Sequence, residues 1–404
     1  MRKNKTRRSL VAARAAAFAI GISSSAVVPV SHAAPLTVDA IAELPASTQG
    51  AWREYLQRSA TAARADQAAL DAELAAHGMT QALPAPSGGD FKLSAKPGDA
   101  WFSSDEAGRL AEIVLSWQTP AGGWSKHTGY SKGARKPGML WSSQYQPGAP
   151  PHYLGTFDNR STTEQLQFLA GVARATGRED CIEGFRKGLS YIFSSQYPNG
   201  GWPQVYPIEG VYHDNITLND DALAHILGLL HGITSEEPEF SFVTDAERTR
   251  AAAAMKRGID CVLAMQVVQD GKRTGWGAQH DPLTLAPAAA RAMEPASLAS
   301  IETANLLKVL MNIRDPEPGL VTCIEHGLDW LDHVKIEDGK TRWARFYDLR
   351  DSRPIFPGRD GVIYGSFDEM AKHNKLGYDF YSGRPGSVVK NGRKKWRKML
   401  ASRK

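Results

Sequence analysis

Two similar heptapeptides, QTPAGGW at 118–124 and QYPNGGW at 196–202, indicate how the chain folds. A degenerate third copy runs from Gln266 to Trp276, so the three tryptophans are spaced by 78 and 74 residues. Each copy follows a segment with apolar residues at helical spacing, and each interval is long enough for two helices with long loops. The repeat therefore predicts helical hairpins that end in the same glycine-rich turn.

The rest of the chain supports a mainly α fold. Apolar residues recur at helical spacing, whereas long alternating strand patterns are missing from the sequence. Short strands are expected in 341–383, which is rich in Arg, Tyr, Phe and Gly. We expect (α/α) toroid-like helical hairpins, with an irregular, short-stranded second part flanking a groove. Helices are predicted near 51–78, 103–117, 161–177, 179–196, 219–233, 245–267, 297–313 and 318–333.

Composition divides the chain into four regions. Residues 1–33 have a basic start, an apolar stretch and a small-residue site, which predicts a signal peptide and a secreted or periplasmic protein. An N-terminal anchor is the alternative. Residues 34–100 are predicted to be a helical lead-in with a linker, 101–389 the main domain and 390–404 a basic tail. No other segment is long and apolar enough to span a bilayer.

The net charge of +5 conceals an acidic body. Residues 1–33 carry six Lys or Arg and no acid, so the remainder has a net charge of −1. The eight Lys or Arg in 390–404, again without an acid, leave −9 for the part between. This charge distribution argues against a nucleic-acid-binding surface. A polyanion would have to be held by a few placed cations or a metal ion, and the partner of the tail itself stays open.

Two sets of residues are interpreted mainly as structural. In the Gly-Gly-Trp turns, glycine permits a left-handed backbone at a helix end and tryptophan can pack over the helix ends. Sugar stacking is the alternative for these tryptophans. Cys181, Cys261 and Cys323 are far apart and lack a metal-ligand spacing, so buried free thiols are expected, with at most one disulfide.

Two short segments place carboxylate and amide side chains directly before predicted helices. Asp158 and Asn159 precede one helix, and Asn219 and Asp220 precede another. Oxygens of this kind are calcium ligands, and equivalent ends of neighbouring hairpins can meet in space. The two segments together are a candidate metal site.

Helix capping is the alternative interpretation of both segments. Ser161 and Glu164 fit a capping box, and either Asn219 or Asp220 fits an N-cap. In that case the carboxylates only satisfy backbone N–H groups and the helix dipole.

Arginines that can face a polyanion lie in two irregular segments. Arg291 precedes a helix expected to begin near Ser297, where its side chain either pairs with Glu294 or points into the groove. The segment 342–361 places several arginines beside aromatic residues, and arginine pairs bidentately with carboxylates. These arginines either bind an acidic polymer or pair with the aspartates of the same segment.

Taken in order, the motifs WQxPxGGWxKH, TFDNxST, QYPNGGWPQxYP, ITLNDDA, GWGxQHDP with RxMEPxS, and FPGRDG with GYDFY resemble pectate lyases of polysaccharide lyase family ten. They extend from about Trp117 to Tyr381. The resemblance implies a toroid-like fold, a catalytic domain over 101–389 and a monomer that cleaves polygalacturonate by calcium-dependent β-elimination. Met293, at a position where the resemblance implies an aromatic residue, and the basic tail depart from it.

The resemblance also implies roles for single residues. Asp158 and Asp220 correspond to the calcium carboxylates, and Arg291 corresponds to the catalytic base. An arginine base is chemically unusual because the arginine pKa exceeds about 12, so it requires neighbouring cations, alkaline pH or proton loss coupled to substrate approach. The implied substrate contacts are Lys126, Asn159, Arg345 and Arg359.

Three other functions fit parts of the sequence. The pattern QxxxGxW also occurs in triterpene cyclases, which need a DxDD proton donor that this sequence does not contain. An inverting glycoside hydrolase on an α/α barrel would use two carboxylates about 6.5–9.5 Å apart and no metal, with Glu164, Asp220 and Glu294 as candidates. A non-catalytic carbohydrate-binding protein is the third. Formation of an unsaturated product distinguishes a lyase from all of them.

Overall fold

The computed structural model describes residues 36–93, 97–144, 154–373 and 379–402. The predicted signal peptide, residues 1–33, lies outside these ranges. The α-helices in the described ranges are α1 (Val38–Ala42), α2 (Ala46–Ala76), α3 (Asp99–Phe102), α4 (Asp105–Ser116), α5 (Thr163–Thr176), α6 (Glu179–Ser195), α7 (Ala222–Thr234), α8 (Asp245–Met265), α9 (Ser300–Leu310), α10 (Pro318–His333), α11 (Phe367–His373), α12 (Pro385–Ser387) and α13 (Arg393–Ala401).

The strands are short and form small antiparallel sheets. One sheet has the order β10-β9-β8-β5 and another has the order β11-β7-β6, while β1 pairs with β4 and β2 with β3. Six of the eleven lie within 336–382, which confirms short strands in the irregular second part. Their bounds are β1 (Ile216–Thr217), β2 (Val268–Gln269), β3 (Lys272–Arg273), β4 (Gln279–His280), β5 (Leu298–Ala299), β6 (Ile336–Glu337), β7 (Thr341–Ala344), β8 (Phe346–Tyr347), β9 (Pro354–Pro357), β10 (Ile363–Tyr364) and β11 (Tyr381–Ser382).

The predicted hairpins form the centre of the fold. Helices α5, α7 and α9 lie side by side as an inner layer, and α4, α6, α8 and α10 form an outer layer around them. Each inner helix packs against the outer helix that follows it in the chain. Because both layers cover it, α7 is buried around most of its surface. This arrangement confirms the mainly α, toroid-like fold class.

The three repeated turns tie neighbouring outer helices together. In each copy the glutamine amide donates one hydrogen bond within its own turn and a second, at 2.9 Å, to a carbonyl of the next outer helix. The indole N–H of each tryptophan donates to a carbonyl of the preceding outer helix at 2.8–2.9 Å. All three indoles are buried, so the structural interpretation holds and sugar stacking is excluded. The residues are Gln118, Gln196 and Gln266, with Trp124, Trp202 and Trp276.

Two glycines allow the turns to contact the next outer helix. Gly122 and Gly200 have φ angles of +106° and +97°, which residues with a Cβ rarely adopt. A Cβ atom would lie 2.5 Å from the carbonyl oxygen of Lys187 in the first turn, and 2.0 Å from that of Arg257 in the second. The glycines are therefore required both by backbone angle and by close approach.

The predicted lead-in is packed against the body of the protein. Trp52 and Tyr55 on α2 are buried in the main hydrophobic core. The hydroxyl of Tyr55 donates to the carbonyl of Ser195 at the end of α6, and the buried carboxylate of Asp66 accepts from the amide of Ala121 at 2.8 Å. Helix α2 thus supports the first repeated turn and is longer than predicted, since it begins at Ala46.

The three cysteines are buried free thiols, as the sequence analysis expects. Cys181, Cys261 and Cys323 lie on α6, α8 and α10. Within the described ranges, no helix is both long enough and apolar enough to cross a membrane.

Candidate active site

The two acid-and-amide segments meet at one end of the inner layer. Each forms a short 3-10 turn, Asp158–Arg160 before α5 and Asn219–Asp221 before α7, and the two turns contact each other. Helix α9 packs against the second turn, and its residues Ile301, Glu302 and Asn305 line the space above both turns. The N-terminal ends of all three inner helices therefore surround one point, as the sequence analysis expects for the two segments.

Both turns share an unusual backbone. The φ angles are +51° and +67° at Asn159 and Arg160, and +51° and +62° at Asp220 and Asp221. Left-handed angles are disfavoured in residues other than glycine, so the same strain at two equivalent sites indicates a functional constraint. The N-cap predicted at Asn219 or Asp220 is wrong, because the N-cap is Asp221 and no side chain bonds to the backbone there.

The capping box predicted for Ser161 and Glu164 is also wrong. Helix α5 begins only at Thr163, because the left-handed turn delays its start. The carboxylate of Glu164 instead accepts a hydrogen bond from the backbone N–H of Leu93 at 3.2 Å. Glu164 thereby ties the segment before α3 to the edge of the site.

A polar cavity of about 490 Å³ lies over these helix ends. It receives residues from the inner helices, from the irregular second part and from the segment before α3, so three separate regions of the chain build its walls. The lining residues are Asp90, Lys92, Leu93, Asn159, Arg160, Glu164, Asp220, Asp221, His225, Ile301, Glu302, Asn305, Arg345 and Arg384.

The carboxylates of Asp158 and Asp220 lie side by side next to this cavity. Asp158 is buried, and its Oδ2 accepts from the ammonium group of Lys126 at 2.6 Å, whereas its Oδ1 is buried without a hydrogen-bond donor. Burial opposes ionisation of Asp158, but the charge of Lys126 outweighs it and lowers its pKa. Asp220 is exposed to the cavity although protein surrounds it on most sides. These surroundings and the negative charge of Asp158 raise the pKa of Asp220 to about 7.

Arg345 reaches the same place from the irregular second part. Its backbone carbonyl accepts from the N–H of Ser300 at the start of α9, which fixes the position of the segment. Its guanidinium donates to the carboxylate of Glu302 at 3.1 Å and to the side-chain oxygen of Asn219 at 3.2 Å. Glu302 is buried, and burial raises its pKa even though Arg345 favours its ionised form. Arg345 is therefore held rigidly beside Asp220.

Arg291 lies beside the site and is paired with Glu294. Its guanidinium donates two hydrogen bonds to that carboxylate, at 2.6 and 2.9 Å. The carboxylate of Glu294 is buried and close enough to raise the pKa of Glu302, whereas the Arg291 side chain is 46% exposed. The segment is irregular as predicted, but α9 begins at Ser300 rather than near Ser297.

The other arginines of 342–361 separate into two groups. Arg350 pairs with Asp348 and Arg353 with Asp351, so for these residues the intramolecular alternative is correct. Arg359 is exposed in the loop between β9 and β10 and does not line the described cavity. The structure therefore brings Lys126, Asn159, Arg345, Asp158 and Asp220 together, and places Arg291 beside them and Arg359 apart.

Sequence analysis missed several residues of the cavity. Glu302 and His225 appear in the sequence as ordinary polar residues within helices, and burial lowers the pKa of His225 to about 4, so that it is neutral. Arg384 lies near the end of the predicted main domain and Lys92 lies in the predicted linker, and neither is part of a motif. Their role depends on long-range packing, for which the sequence carries no local signal.

A calcium ion is compatible with the residues of the site, although they are few. Within the described ranges, no group of three or more His, Cys, Asp or Glu side chains forms a candidate metal site. Asp158 and Asp220 nevertheless offer adjacent carboxylates, and the buried Oδ1 of Asp158 lacks a donor. Two adjacent carboxylates require a proton or a cation between them, and oxygen donors of this type suit calcium.

Comparison with known proteins agrees with this architecture. The family described as pectic acid lyase matches residues 118–389. A mutant family 10 polysaccharide lyase from Cellvibrio cellulosa, solved with trigalacturonic acid, superposes with a TM-score of 0.64 and 29% sequence identity, covering 73% of this chain and 96% of its own. A second structure of family 10 polysaccharide lyase from that organism has the same score and identity, with 76% and 99% coverage. No curated protein sequence matches this chain.

The toroid-like helical fold and the charged cavity at its inner helix ends define a polysaccharide lyase. The chain belongs to the pectic acid lyase family, the pectate lyases of polysaccharide lyase family ten, because the match spans more than half of its length. Because this family is a family of lyases, the hydrolase, cyclase and carbohydrate-binding interpretations of the sequence are rejected.

Proposed function

We propose that this enzyme is a secreted or periplasmic, calcium-dependent pectate lyase that cleaves (1→4)-α-D-galacturonan by β-elimination. The observation that supports this most strongly is the pair of carboxylates of Asp158 and Asp220 between the cations of Lys126 and Arg345. Such a site matches a polymer that carries one carboxylate on each sugar. The products are unsaturated oligogalacturonides.

The chemistry explains why cations surround the reaction centre. A base removes the proton from C5, which is adjacent to the uronate carboxylate, and the bond between C4 and its glycosidic oxygen then breaks. Negative charge accumulates on the uronate carboxylate as the proton leaves, so fixed positive groups near it lower the barrier. Arg345 is suited to this role because Glu302 fixes its guanidinium before the substrate arrives.

Asp158 and Asp220 are proposed to hold the calcium ion. Bound calcium would neutralise the uronate carboxylate as a Lewis acid. The two aspartates would supply only part of the about six to eight oxygen ligands that calcium takes, and the substrate carboxylate would be a further ligand. Affinity for the metal therefore depends on the substrate as well as on the protein.

The remaining proposed contacts hold the galacturonan chain. Lys126 and Asn159 adjoin Asp158 in the first turn and are proposed to contact the sugar that is cleaved. Arg359, on the loop after β9, is proposed to contact a more distant sugar. Arg345 contributes a planar fork that matches a carboxylate bidentately.

Arg291 is proposed as the base that takes the C5 proton. Its bidentate pair with Glu294 favours the charged guanidinium, which cannot accept a proton. Proton loss must therefore accompany separation of this pair when the substrate and its cations bind. This requirement fits activity at alkaline pH.

The proposed function is tested by the ultraviolet absorbance of the unsaturated product formed from polygalacturonate. We expect absorbance to rise with added calcium and to stop with excess chelator, and calcium to restore it. Full activity in excess chelator would contradict the metal assignment. Product without an absorbing double bond would contradict elimination itself.

Arg291→Lys and Arg291→Ala test the base. If geometry and proton transfer matter, both variants lose kcat by at least about 10²–10⁴-fold, the usual contribution of a general base, while still binding oligogalacturonate. Single-turnover rates compared with measured affinities distinguish the two roles. A lysine variant with near-native rate and weakened affinity would make Arg291 a substrate clamp, with Lys126 the next candidate base.

A further inference from the structure

The C-terminal helix α13 lies beyond the family match, which ends at residue 389. Its indole at Trp396 is buried, and Arg393 and Arg397 form ion pairs with Glu325 on α10, at 2.9 and 2.7 Å. Arg393 also pairs with Asp329. The helix is therefore a fixed part of the surface of the protein.

The π-helical segment Val388–Gly392 and α13 together carry four exposed lysines. Lys390, Lys394, Lys395 and Lys398 are all exposed, and none forms an ion pair with a described residue. The sequence has no acidic residue after Asp379. Lys390, Lys394 and Lys398 follow one another at intervals of four, which places like charges on neighbouring turns.

This spacing does not stabilise the helix. Like charges four residues apart repel each other, and the acidic residues that α13 faces on α10 are already paired with its arginines. The lysines consequently maintain a positive field over an otherwise acidic body, and such a field attracts polyanions. The described face is held in place with its cations unpaired before any ligand arrives.

A short stretch of chain links the active-site cavity to these lysines. Arg384 lines the cavity, and the chain proceeds from it through α12 and the π-helical segment Val388–Gly392 into α13. The 14 residues from Arg384 to Lys398, at about 1.5 Å each, give a path of about 20 Å. A polymer bound at Arg384 is long enough to contact all of these lysines, whereas a short oligosaccharide does not extend from Arg384 to Lys398.

We propose that Lys390, Lys394, Lys395 and Lys398 form a second, non-catalytic binding surface for the carboxylates of polymeric galacturonan. The proposal rests on the proposed function, since it takes its ligand from the substrate of the active site. The apolar side of α13 favours a soluble polyanion over a lipid surface, because Trp396 packs into the protein and does not face outward.

The test compares native enzyme with the variant Lys390→Gln, Lys394→Gln, Lys398→Gln. The control variant removes the same number of charges from three exposed lysines elsewhere on the protein: Lys132→Gln, Lys136→Gln, Lys272→Gln. We measure KM and kcat on polygalacturonate and on trigalacturonate at low and high salt, and retardation in gels containing polygalacturonate.

In the variant that lacks Lys390, Lys394 and Lys398, we expect KM on the polymer to rise about 3- to 100-fold at low salt and gel retardation to be lost. The control variant should show neither change. The kcat, and the KM for trigalacturonate, should stay native. Equal polymer KM and equal retardation in native and variant enzymes would overturn the surface while leaving the lyase function intact. Stronger binding to phosphatidylglycerol vesicles than to polygalacturonate, lost in the variant, would overturn it in favour of a membrane. Unchanged retardation is the decisive negative even if the native enzyme proves not to be a lyase, because retardation does not require turnover.

Discussion

Calcium binding should compete with a proton on Asp220. The pKa of this carboxyl is raised to about 7, chiefly by its surroundings and by the adjacent charge of Asp158. Asp158 itself stays ionised, because Lys126 lowers its pKa. Below pH 7 a cation must therefore displace one proton, from Asp220, before both carboxylates can bind it.

The size of the effect follows from that single pKa. With a pKa of about 7, Asp220 is about nine-tenths ionised at pH 8, about one-tenth at pH 6 and about one-hundredth at pH 5. Apparent calcium affinity should consequently fall about tenfold from pH 8 to pH 6, and about tenfold again to pH 5. At pH 6, close to one proton should be released for each calcium ion bound.

Isothermal titration of calcium into the enzyme, in two buffers of different ionisation enthalpy, measures both quantities. Asp220→Asn should bind calcium weakly and without proton release. Asp221→Asn is the matched control, since Asp221 lines the same cavity but accepts a hydrogen bond from Asn305. Equal affinities at pH 6 and pH 8 in the native enzyme, or proton release that survives in Asp220→Asn, would refute the carboxylate pair as the metal site.

Three other changes test the site and the fold. Arg345→Ala should lower kcat/KM on polygalacturonate by about 10- to 100-fold, since it removes a charge-assisted bond worth about 1.5–3 kcal/mol. The control Arg350→Ala loses only an exposed ion pair and should leave kcat/KM unchanged. Equal rates on esterified and de-esterified pectin would contradict the role of Arg345 in binding a carboxylate. Gly200→Ala should lower the free energy of unfolding in urea by at least about 2 kcal/mol, because the added Cβ collides with the backbone of the next outer helix. The control Gly50→Ala, in open space on α2, should raise it slightly. Native stability of the Gly200 variant would contradict the close approach of this turn to the helix. Burial raises the pKa of Asp66 from 3.8 to about 6, so between these values the folded state retains a proton that the unfolded state has lost. The free energy of unfolding should therefore fall by up to about 3 kcal/mol between about pH 4 and pH 6, and this decrease should be absent in Asp66→Asn. The same pH slope in the native protein and the variant would rule out Asp66 as its cause.

The sequence predicted the helices well because their signals are local. Helix α10 has the predicted bounds, and α8 begins at the predicted Asp245, where Thr244 and Glu247 form a capping box. The repeated glutamine and tryptophan predicted equivalent turns, since each copy makes the same two types of hydrogen bond. Burial of the tryptophans follows from that geometry.

The site was less predictable from local pattern. Asn and Asp adopt a left-handed backbone more readily than most residues, but they are also good helix caps, so the sequence favoured capping as an alternative, and it was wrong. The pairing of Arg345 with Glu302 joins residues 43 apart in the chain, which a scan for short motifs cannot detect. The roles of Arg291 and Arg359 rested on family resemblance and remain predictions.

Seen as a short repeat array, the helical layers have two ends that differ. Each of the first three outer helices is followed by a glutamine that bonds to the next outer helix, whereas among the described helices none follows α10 in the outer layer. Helix α13 buries Trp396 and is joined to α10 by the pairs of Arg393 and Arg397, and so acts as a terminal cap of the kind that repeat proteins need for solubility. Truncation of the tail would uncover α10, so loss of function in a truncated protein would report a failing array end as readily as a lost polymer contact.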